Sequence, residues 1–315
     1  MNKDTMTNGA ERIVAAAEAQ AENEKPFEEW SSAGIGNAFL FGKVMTSNPD
    51  LLLELLQHSL PEYHIQKIER PQREVDIKLS VDSHGVRLDI LAIDDKGRFI
   101  DVEMQMRDEK NIPRRIRYYE GAIDQTILEK GENYSKLGEL VILFITPFDP
   151  FGEAGFYRYT FRNTCQEDNS LVLNDGVTKV VISAAGHKGD ISPELKVFLQ
   201  MVAGKADSSR YAEGSFAERV QKQVNYARRN AIWRKEYMNW EMTLRNEREK
   251  GAEQERARTE VQRKRAEAAE ERAKAEKERA DVEKERAEVE KERADKAEEE
   301  LRMLKEQIEK MQTSK

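Results

Sequence analysis

Two acidic residues and a glutamine share one face of a predicted β-hairpin, where they could bind a metal ion. The hairpin would consist of three consecutive segments, VRLDILAID (86–94), DKG (95–97) and RFIDVEMQM (98–106). A three-residue turn closed by glycine pairs Asp94 with Arg98, which places Asp89 directly across from Glu103. Gln105, two residues further along, lies on the face of Glu103 because strand side chains alternate. Opposed carboxylates repel, and a cation such as Mg²⁺ between them removes that cost.

The same alternation also fits a hairpin with one face in water. Antiparallel strands often have a solvated face, and Asp and Glu can simply be hydrated there. Asp101 falls on the same face as Glu103, so the spacing does not select a unique pair of acids. From the pattern alone, a metal site and a solvated face both remain open.

A basic segment follows the hairpin. Residues 107–117 hold five cations against two acids: Arg107, Lys110, Arg114, Arg115 and Arg117 against Asp108 and Glu109. Basic residues at the start of a helix suit a polyanionic backbone, although a solvated helix face would have the same composition. We take Arg114, Arg115 and Arg117 as candidate contacts to a polyanionic backbone such as that of a nucleic acid.

These residue types together suit the hydrolysis of a phosphodiester. Asp89 and Glu103 could hold Mg²⁺ or Mn²⁺, which would polarise the phosphate and activate water. Gln105 could orient the water or the phosphate, but it cannot supply the positive charge of a lysine. Phosphate loops of the GxxxxGK[ST] type and GxSxG elbows are absent from the sequence, and its four histidines show no paired metal-ligand spacing.

Composition divides the chain into two parts. The last 65 of its 315 residues hold 20 acidic and 18 basic side chains and lack proline and aromatic residues. The net charge of −8 argues mildly against tight passive binding to nucleic acid, without excluding a local basic patch. The single cysteine excludes an internal disulfide framework. The apolar runs are shorter than the ~20 residues that a membrane span needs, and the N-terminus does not resemble a signal peptide. We therefore expect a cytoplasmic protein with no membrane contact.

The order of predicted elements indicates an α/β fold with a mixed sheet flanked by helices. We expect a flexible tail over 1–33, a nuclease-like domain over 34–205, a helical extension over 206–250 and a charged helix over 251–315. The predicted helices are 50–60, 113–130, 192–202 and 214–250. Besides the hairpin, the predicted strands are 64–69, 74–80, 139–146, 156–161 and 177–183.

The end of the chain repeats with a period of seven. Apolar residues alternate in steps of three and four in the final stretch, as a coiled coil requires: Ala294, Ala297, Leu301, Leu304, Ile308 and Met311. Before residue 294 one of the two seams is mostly glutamate, and charge pairs one turn apart support the helix instead. Two outcomes remain open, a homodimer through residues 294–311 and a charged helix that stays single.

Three sequence blocks resemble one known family. The blocks are RLDILAIDDKGRFIDVEMQMR (87–107), RRIRYYEGAIDQTILEKGENYSKL (114–137), and FDPFG (148–152) followed by YRYTFRNTC (157–165). Together they are similar to the PD-(D/E)XK nuclease family transposases, also called recombination-promoting nucleases, over roughly residues 35–240. The long heptad tail departs from the family pattern and looks like an appended element.

The resemblance implies a restriction-endonuclease-like core and DNA cleavage that depends on a divalent metal. It matches Asp89 to the metal-binding Asp and Glu103 to the acid of the ExK element, with Gln105 in place of the lysine. An acid on the first helix sometimes belongs to such sites, and Glu54 is the candidate here. The expected function is a DNA endonuclease in recombination or transposition. The alternative is a catalytically weak or inactive DNA-binding or scaffolding protein that oligomerises through its C-terminal coiled coil.

Overall fold

A mixed β-sheet forms the centre of the domain. The computed structural model describes residues 29–77, 86–128 and 130–313. Within the unit that ends at Glu241, the described strands form one six-stranded sheet in the order β1-β2-β3-β4-β6-β5. Strands β3, β4 and β6 are mutually parallel, and the remaining neighbours are antiparallel. The strands are β1 Ile68–Ile77, β2 Val86–Asp94, β3 Phe99–Met104, β4 Leu140–Thr146, β5 Arg158–Phe161 and β6 Val177–Ser183.

Helices cover both faces of this sheet. The described helices are α1 Ala38–Ser47, α2 Pro49–Ser59, α3 Ile112–Ile127, α4 Pro193–Val202, α5 Phe216–Arg229 and α6 Ala231–Thr313. The larger apolar cluster joins α1, α2, α4 and α5 to one face, and the smaller cluster joins α3 to the other. The predicted restriction-endonuclease-like α/β fold is therefore confirmed.

Helix α3 is the crossover between two parallel strands, β3 and β4. Pro113 stands in its first turn, where the missing N–H costs nothing. Its buried stripe is Ile112, Ile116, Tyr119 and Ile123, spaced three and four residues apart. This stripe packs on Leu140, Ile142 and Phe144 of β4. The side of the sheet under α3 is the side that receives the candidate site.

Several predicted elements differ in the structure. Helix α1 is missing from the prediction, because its sequence AFLFGKVMTS is apolar on nearly every side and shows no amphipathic period. Strand β1 replaces the separate strands 64–69 and 74–80 as one element that accommodates Pro71 at a register shift, and residues 78–80 lie outside the described part. The predicted helix 214–250 is interrupted at Asn230, whose side chain accepts hydrogen bonds from the N–H groups of Ile232 and Trp233.

The two ends of the described chain differ in burial. Trp30 falls within the predicted tail 1–33, yet it is fully buried against Phe39 and Tyr237. In the second unit, residues 242–315, every side chain of 251–303 is exposed. Helix α6 continues to Thr313 and so fits the coiled-coil prediction. In the described part of the chain, no helix combines the length and the hydropathy needed to cross a membrane.

Asp149 organises the loop that follows β4, within the FDPFG block. Its carboxylate accepts hydrogen bonds from the N–H groups of Phe151 and Gly155 and from the hydroxyl of Tyr159. Partial burial acts to raise the pKa of Asp149, but these hydrogen bonds outweigh it and hold the pKa below its usual range. The ionised form therefore stabilises the loop, and Asp149 has a structural explanation that needs no role in chemistry.

We predict that Asp149→Asn lowers the free energy of unfolding by about 1–2 kcal/mol at pH 7, because the amide replaces a charged acceptor. A depressed native pKa stabilises the fold above the ordinary aspartate pKa of about 4, and this contribution is lost as the pH falls toward the native pKa. The gap between variant and wild type should therefore shrink near pH 3. Urea unfolding at both pH values measures it, with Glu153→Gln, an exposed acid of the same loop, as control. A gap independent of pH would contradict the assignment.

Candidate active site

Asp89 and Glu103 lie side by side at the end of the β2–β3 ladder. Gly97 adopts a left-handed backbone (φ 77°), and the N–H of Asp94 donates to the carbonyl of Arg98, which gives the register expected from the turn. Oε1 of Glu103 accepts a hydrogen bond from the N–H of Asp89 at 2.8 Å. Oδ2 of Asp89 accepts one from the N–H of Met104 at 2.9 Å. The structure thus brings the two predicted acids together.

Asp89 also stands where the regular alternation of β2 breaks. Leu88 packs in the smaller cluster under α3, whereas Ile90 packs in the larger cluster on the other face. On β1 the residue across from Asp89 is Glu74, between the pairs Arg73–Ile90 and Val75–Leu88, and its backbone is left-handed (φ 54°). Such irregularities in a ladder re-aim side chains and often lie beside active sites.

The face that carries the acids is buried, not solvated. Asp101 is 0% exposed and Glu103 is 2% exposed, because their register partners Ile142 and Phe144 belong to the cluster under α3. The alternative of a hydrated polar face is therefore wrong. Neither carboxylate oxygen of Asp101 has a hydrogen-bond donor in the described part of the chain. An unpartnered buried carboxylate of this kind calls for a compensating group.

The electrostatics of these acids are unfavourable as they stand. Burial raises the pKa of Asp89 to about 6, although the Met104 N–H and the charge of Arg115 act to lower it. Burial and the charges of its acidic neighbours raise the pKa of Glu103 well above its usual range, and the pKa of Asp101 is raised by burial and by Asp89. Acids arranged in this way favour protonation or a nearby cation.

Gln105 is held beside Glu103 by two partners. Its Nε2 donates to the carbonyl of Arg107 at 2.7 Å, and its Oε1 accepts from Nη1 of Arg115. Nη2 of Arg115 lies 3.7 Å from Oε2 of Glu103 and donates to the hydroxyl of Tyr119 at 2.7 Å. Burial raises the pKa of Tyr119, so it remains a neutral phenol. Arg115 therefore contacts both Gln105 and Glu103.

The other predicted residues occupy different surroundings. Arg114 and Arg117 are exposed on α3, and neither forms an ion pair with another described residue. Glu54 forms an ion pair with Arg219, its Oε1 lies 3.9 Å from Nε2 of His58, and its contacts with described residues do not include Asp89 or Glu103. Glu54 thus has its own partners in Arg219 and His58, whereas Arg114 and Arg117 are exposed to a ligand from solution.

Two residues near Asp89 were not found from the sequence. Arg73 of β1 packs its guanidinium 3.9 Å from the ring centre of Phe39, pairs with Glu74, and acts electrostatically on Asp89. Gly42 makes room for it, since a Cβ at residue 42 would lie 3.0 Å from atoms of the Arg73 side chain. Neither residue lies in a motif, and the signal needed to find them was the pairing of β1 with β2, which sequence spacing does not reveal.

The donor set fits a hard divalent cation. Asp89 and Glu103 each use one oxygen for a backbone N–H, which leaves Oδ1 of Asp89 and Oε2 of Glu103 without a backbone donor among the described residues. Groups of three or more metal-ligating side chains do not occur in the described part of the chain. Two carboxylates completed by water and phosphate oxygens are the coordination that Mg²⁺ commonly takes.

The comparisons with known proteins agree with this geometry. Residues 38–175 match the family model of the PD-(D/E)XK nuclease family transposases, a span that contains α1 to α3, β1 to β5 and all the site residues described above. No curated protein and no solved structure matches the chain. The resemblance found from the three sequence blocks is therefore confirmed as a similarity to the PD-(D/E)XK nuclease family transposases over residues 38–175.

Proposed function

We propose that this protein is a divalent-metal-dependent DNA endonuclease that acts in recombination or transposition. The observation that carries the proposal is the pair of carboxylates formed by half-buried Asp89 and buried Glu103, which meet across two strands. Each keeps one oxygen without a backbone donor among the described residues. The family match supports a nuclease or transposase type of function, and PD-(D/E)XK nucleases generally use divalent metal ions. DNA is the substrate that this family implies.

In this proposal Asp89 and Glu103 hold Mg²⁺, or Mn²⁺ in its place. When bound, the ion would polarise the phosphate and lower the pKa of a coordinated water. The two carboxylates fix its position, because both come from the hydrogen-bonded ends of neighbouring strands. The site lies under α3, where the low dielectric strengthens every interaction with the phosphate.

The reaction needs only water as a co-reactant. The oxygen of the water forms a bond to phosphorus, and the bond from phosphorus to the departing sugar oxygen breaks. One proton of the water leaves to solvent, and the departing oxygen gains one proton to become a hydroxyl. Gln105, held between Arg115 and the carbonyl of Arg107, positions the nucleophile or the phosphate.

The start of α3 supplies the contact to the DNA backbone. Arg114 and Arg117 are exposed and project from the helix whose neighbour Arg115 reaches the acids. A phosphate chain that passes over this turn would meet these two exposed cations, which have no ion-pair partner among the described residues. Phosphate contacts of this type position a protein on DNA without reading its sequence.

The C-terminal helix is proposed to join two copies of the chain. Cutting both strands of a duplex calls for two active sites, and residues 294–311 form a seam of apolar residues in a helix. Ala294, Ala297 and Leu301 of this seam are exposed, while the side chains of Leu304, Ile308 and Met311 lie outside the described residues. A parallel coiled coil would bury the seam.

A second function is supported by one observation. Gln105 is neutral where the family motif has a lysine, so the acids can also be the remains of a site in a DNA-binding scaffold that no longer cleaves. In that case the coiled coil would be the working part. Cleavage by the wild-type chain separates the two.

We predict that Asp89→Asn and Glu103→Gln each reduce Mg²⁺-dependent plasmid nicking by roughly 100-fold or more, because each removes a charge that holds the ion. Both variants should unfold at the wild-type temperature or above it, since each relieves repulsion among buried acids. Glu139→Gln, an exposed acid at the opposite end of β4, is the matched control and should cleave normally. Equal nicking by all four proteins would remove the assigned site, and no nicking by any of them would favour the scaffold.

We predict that Arg114→Gln and Arg117→Gln each weaken duplex binding to a similar degree for every DNA sequence and lower the salt slope of binding by about one. Fluorescence anisotropy at several salt concentrations, without a divalent metal, measures both quantities. Lys136→Gln, a remote exposed cation, should leave the slope unchanged. A sequence-dependent loss, or an unchanged slope, would contradict a backbone contact.

We predict that the full chain sediments at twice its monomer mass of 36.4 kDa and that removal of residues 290–315 halves the value. The reason is the loss of the seam where both coiled-coil positions are apolar. Sedimentation equilibrium gives the mass directly, and circular dichroism confirms that the truncated protein keeps its fold. The same number of subunits in both proteins would exclude this dimer interface.

A further inference from the structure

We infer that Arg115 supplies to the scissile phosphate the positive charge that Gln105, at the lysine position of the family motif, does not carry. The inference rests on the proposed nuclease function and refines the role given to Arg115 by its sequence neighbourhood. From the sequence, Arg115 was grouped with Arg114 and Arg117 as a candidate contact to the DNA backbone. In the structure it belongs to the reaction centre.

The geometry separates Arg115 from its neighbours on the helix. Nη1 donates to Oε1 of Gln105, and Nη2 lies 3.7 Å from Oε2 of Glu103. The guanidinium therefore contacts both side chains of the ExQ element, Glu103 in β3 and Gln105 just past its end. Arg114 and Arg117 point to solvent from the same helix.

The guanidinium is fixed by its surroundings. It lies over the rings of Tyr119 and Phe144, at 5.4 and 5.7 Å from their centres, and Nη2 donates to the hydroxyl of Tyr119 at 2.7 Å. Phe144 is the register partner of Glu103 on β4, so the ring beneath Arg115 is adjacent to the acid. A cation held in this way costs little reorganisation when it meets a developing negative charge.

Charge balance explains why this cation would serve the substrate. Without a metal, Arg115 offsets part of the repulsion between the buried acids. A bound divalent ion would balance the charges of Asp89 and Glu103, and the guanidinium would then no longer be needed to offset them. It is then available to a phosphate oxygen beside Gln105.

The other cation near the acids does not meet the same conditions. Arg73 is paired with Glu74 and stacked on Phe39. Its hydrogen bonds and ion pairs with described residues do not include Gln105 or Glu103. Within the described chain, Arg115 is the cation that contacts both members of the ExQ element.

The test uses four variants of the full chain: Arg115→Ala, Gln105→Lys, the double variant with both changes, and Arg158→Ala as control. Arg158 lies on β5, is half-buried and forms an ion pair with Glu62. It therefore matches Arg115 both in burial and in having an acidic partner. Three quantities are measured for each protein: the affinity for Mn²⁺ by calorimetry, the unfolding temperature, and the single-turnover cleavage rate at saturating DNA.

Arg115→Ala should cleave roughly 100-fold more slowly, as the loss of a transition-state charge contact does. It should bind Mn²⁺ at least as tightly as the wild type, because a positive charge beside Glu103 has gone. The double variant should recover cleavage to within about tenfold of the wild type, since a lysine at 105 returns the charge with a different geometry. Arg158→Ala should match the wild type in Mn²⁺ affinity and cleavage rate.

A purely structural role gives different results. Weaker Mn²⁺ binding by Arg115→Ala, together with no recovery in the double variant, would overturn the inference and make Arg115 a support for the acids. Cleavage by Arg115→Ala at the wild-type rate would overturn the inference about Arg115 but not the proposed nuclease function. A wild-type chain that binds Mn²⁺ but does not cleave would overturn the proposed function and the role of Arg115 with it.

Discussion

The burial of like charges under α3 is the constraint on which the candidate site depends. Asp101 and Glu103 alternate with Ile100 and Val102 along β3, so the strand places acids against one apolar cluster and aliphatic side chains against the other. Two backbone N–H groups and one guanidinium offset part of the cost. Buried charges persist when they are paired or bind metals. The surrounding fold stabilises an arrangement that the acids alone would not adopt.

Much of the hairpin could be predicted from the sequence because its register depends on local residues. The glycine at the end of the DKG turn fixes the pairing of Asp94 with Arg98, and the alternation then carries that register to Asp89 and Glu103. The burial of these acids could not be predicted. Period two tells which residues share a face, but it does not tell which element covers that face.

The role of Arg115 and the existence of α1 could not be predicted either, because both depend on which elements pack against each other. Of the cations on α3 that belong to this run, Arg115 is half-buried whereas Arg114 and Arg117 are exposed, and only the docking of the helix distinguishes them. Helix α1 is apolar on most sides because it is enclosed, with Phe39, Leu40 and Phe41 all buried. A pattern method that relies on amphipathic contrast has no contrast to detect there.

The change of face at Asp89 has a consequence for local stability. In the half of the β1–β2 pair that contains Ile77 and Leu88, these side chains belong to the smaller cluster under α3. In the half that contains Ile68 and Ile90, these side chains belong to the larger cluster with α1 and α2. Regions that share an apolar cluster tend to open together as cooperative units. Asp89 thus stands where the fully buried side chains of β2 pass from one apolar cluster to the other, and we expect amide hydrogens on either side of it to exchange through different openings.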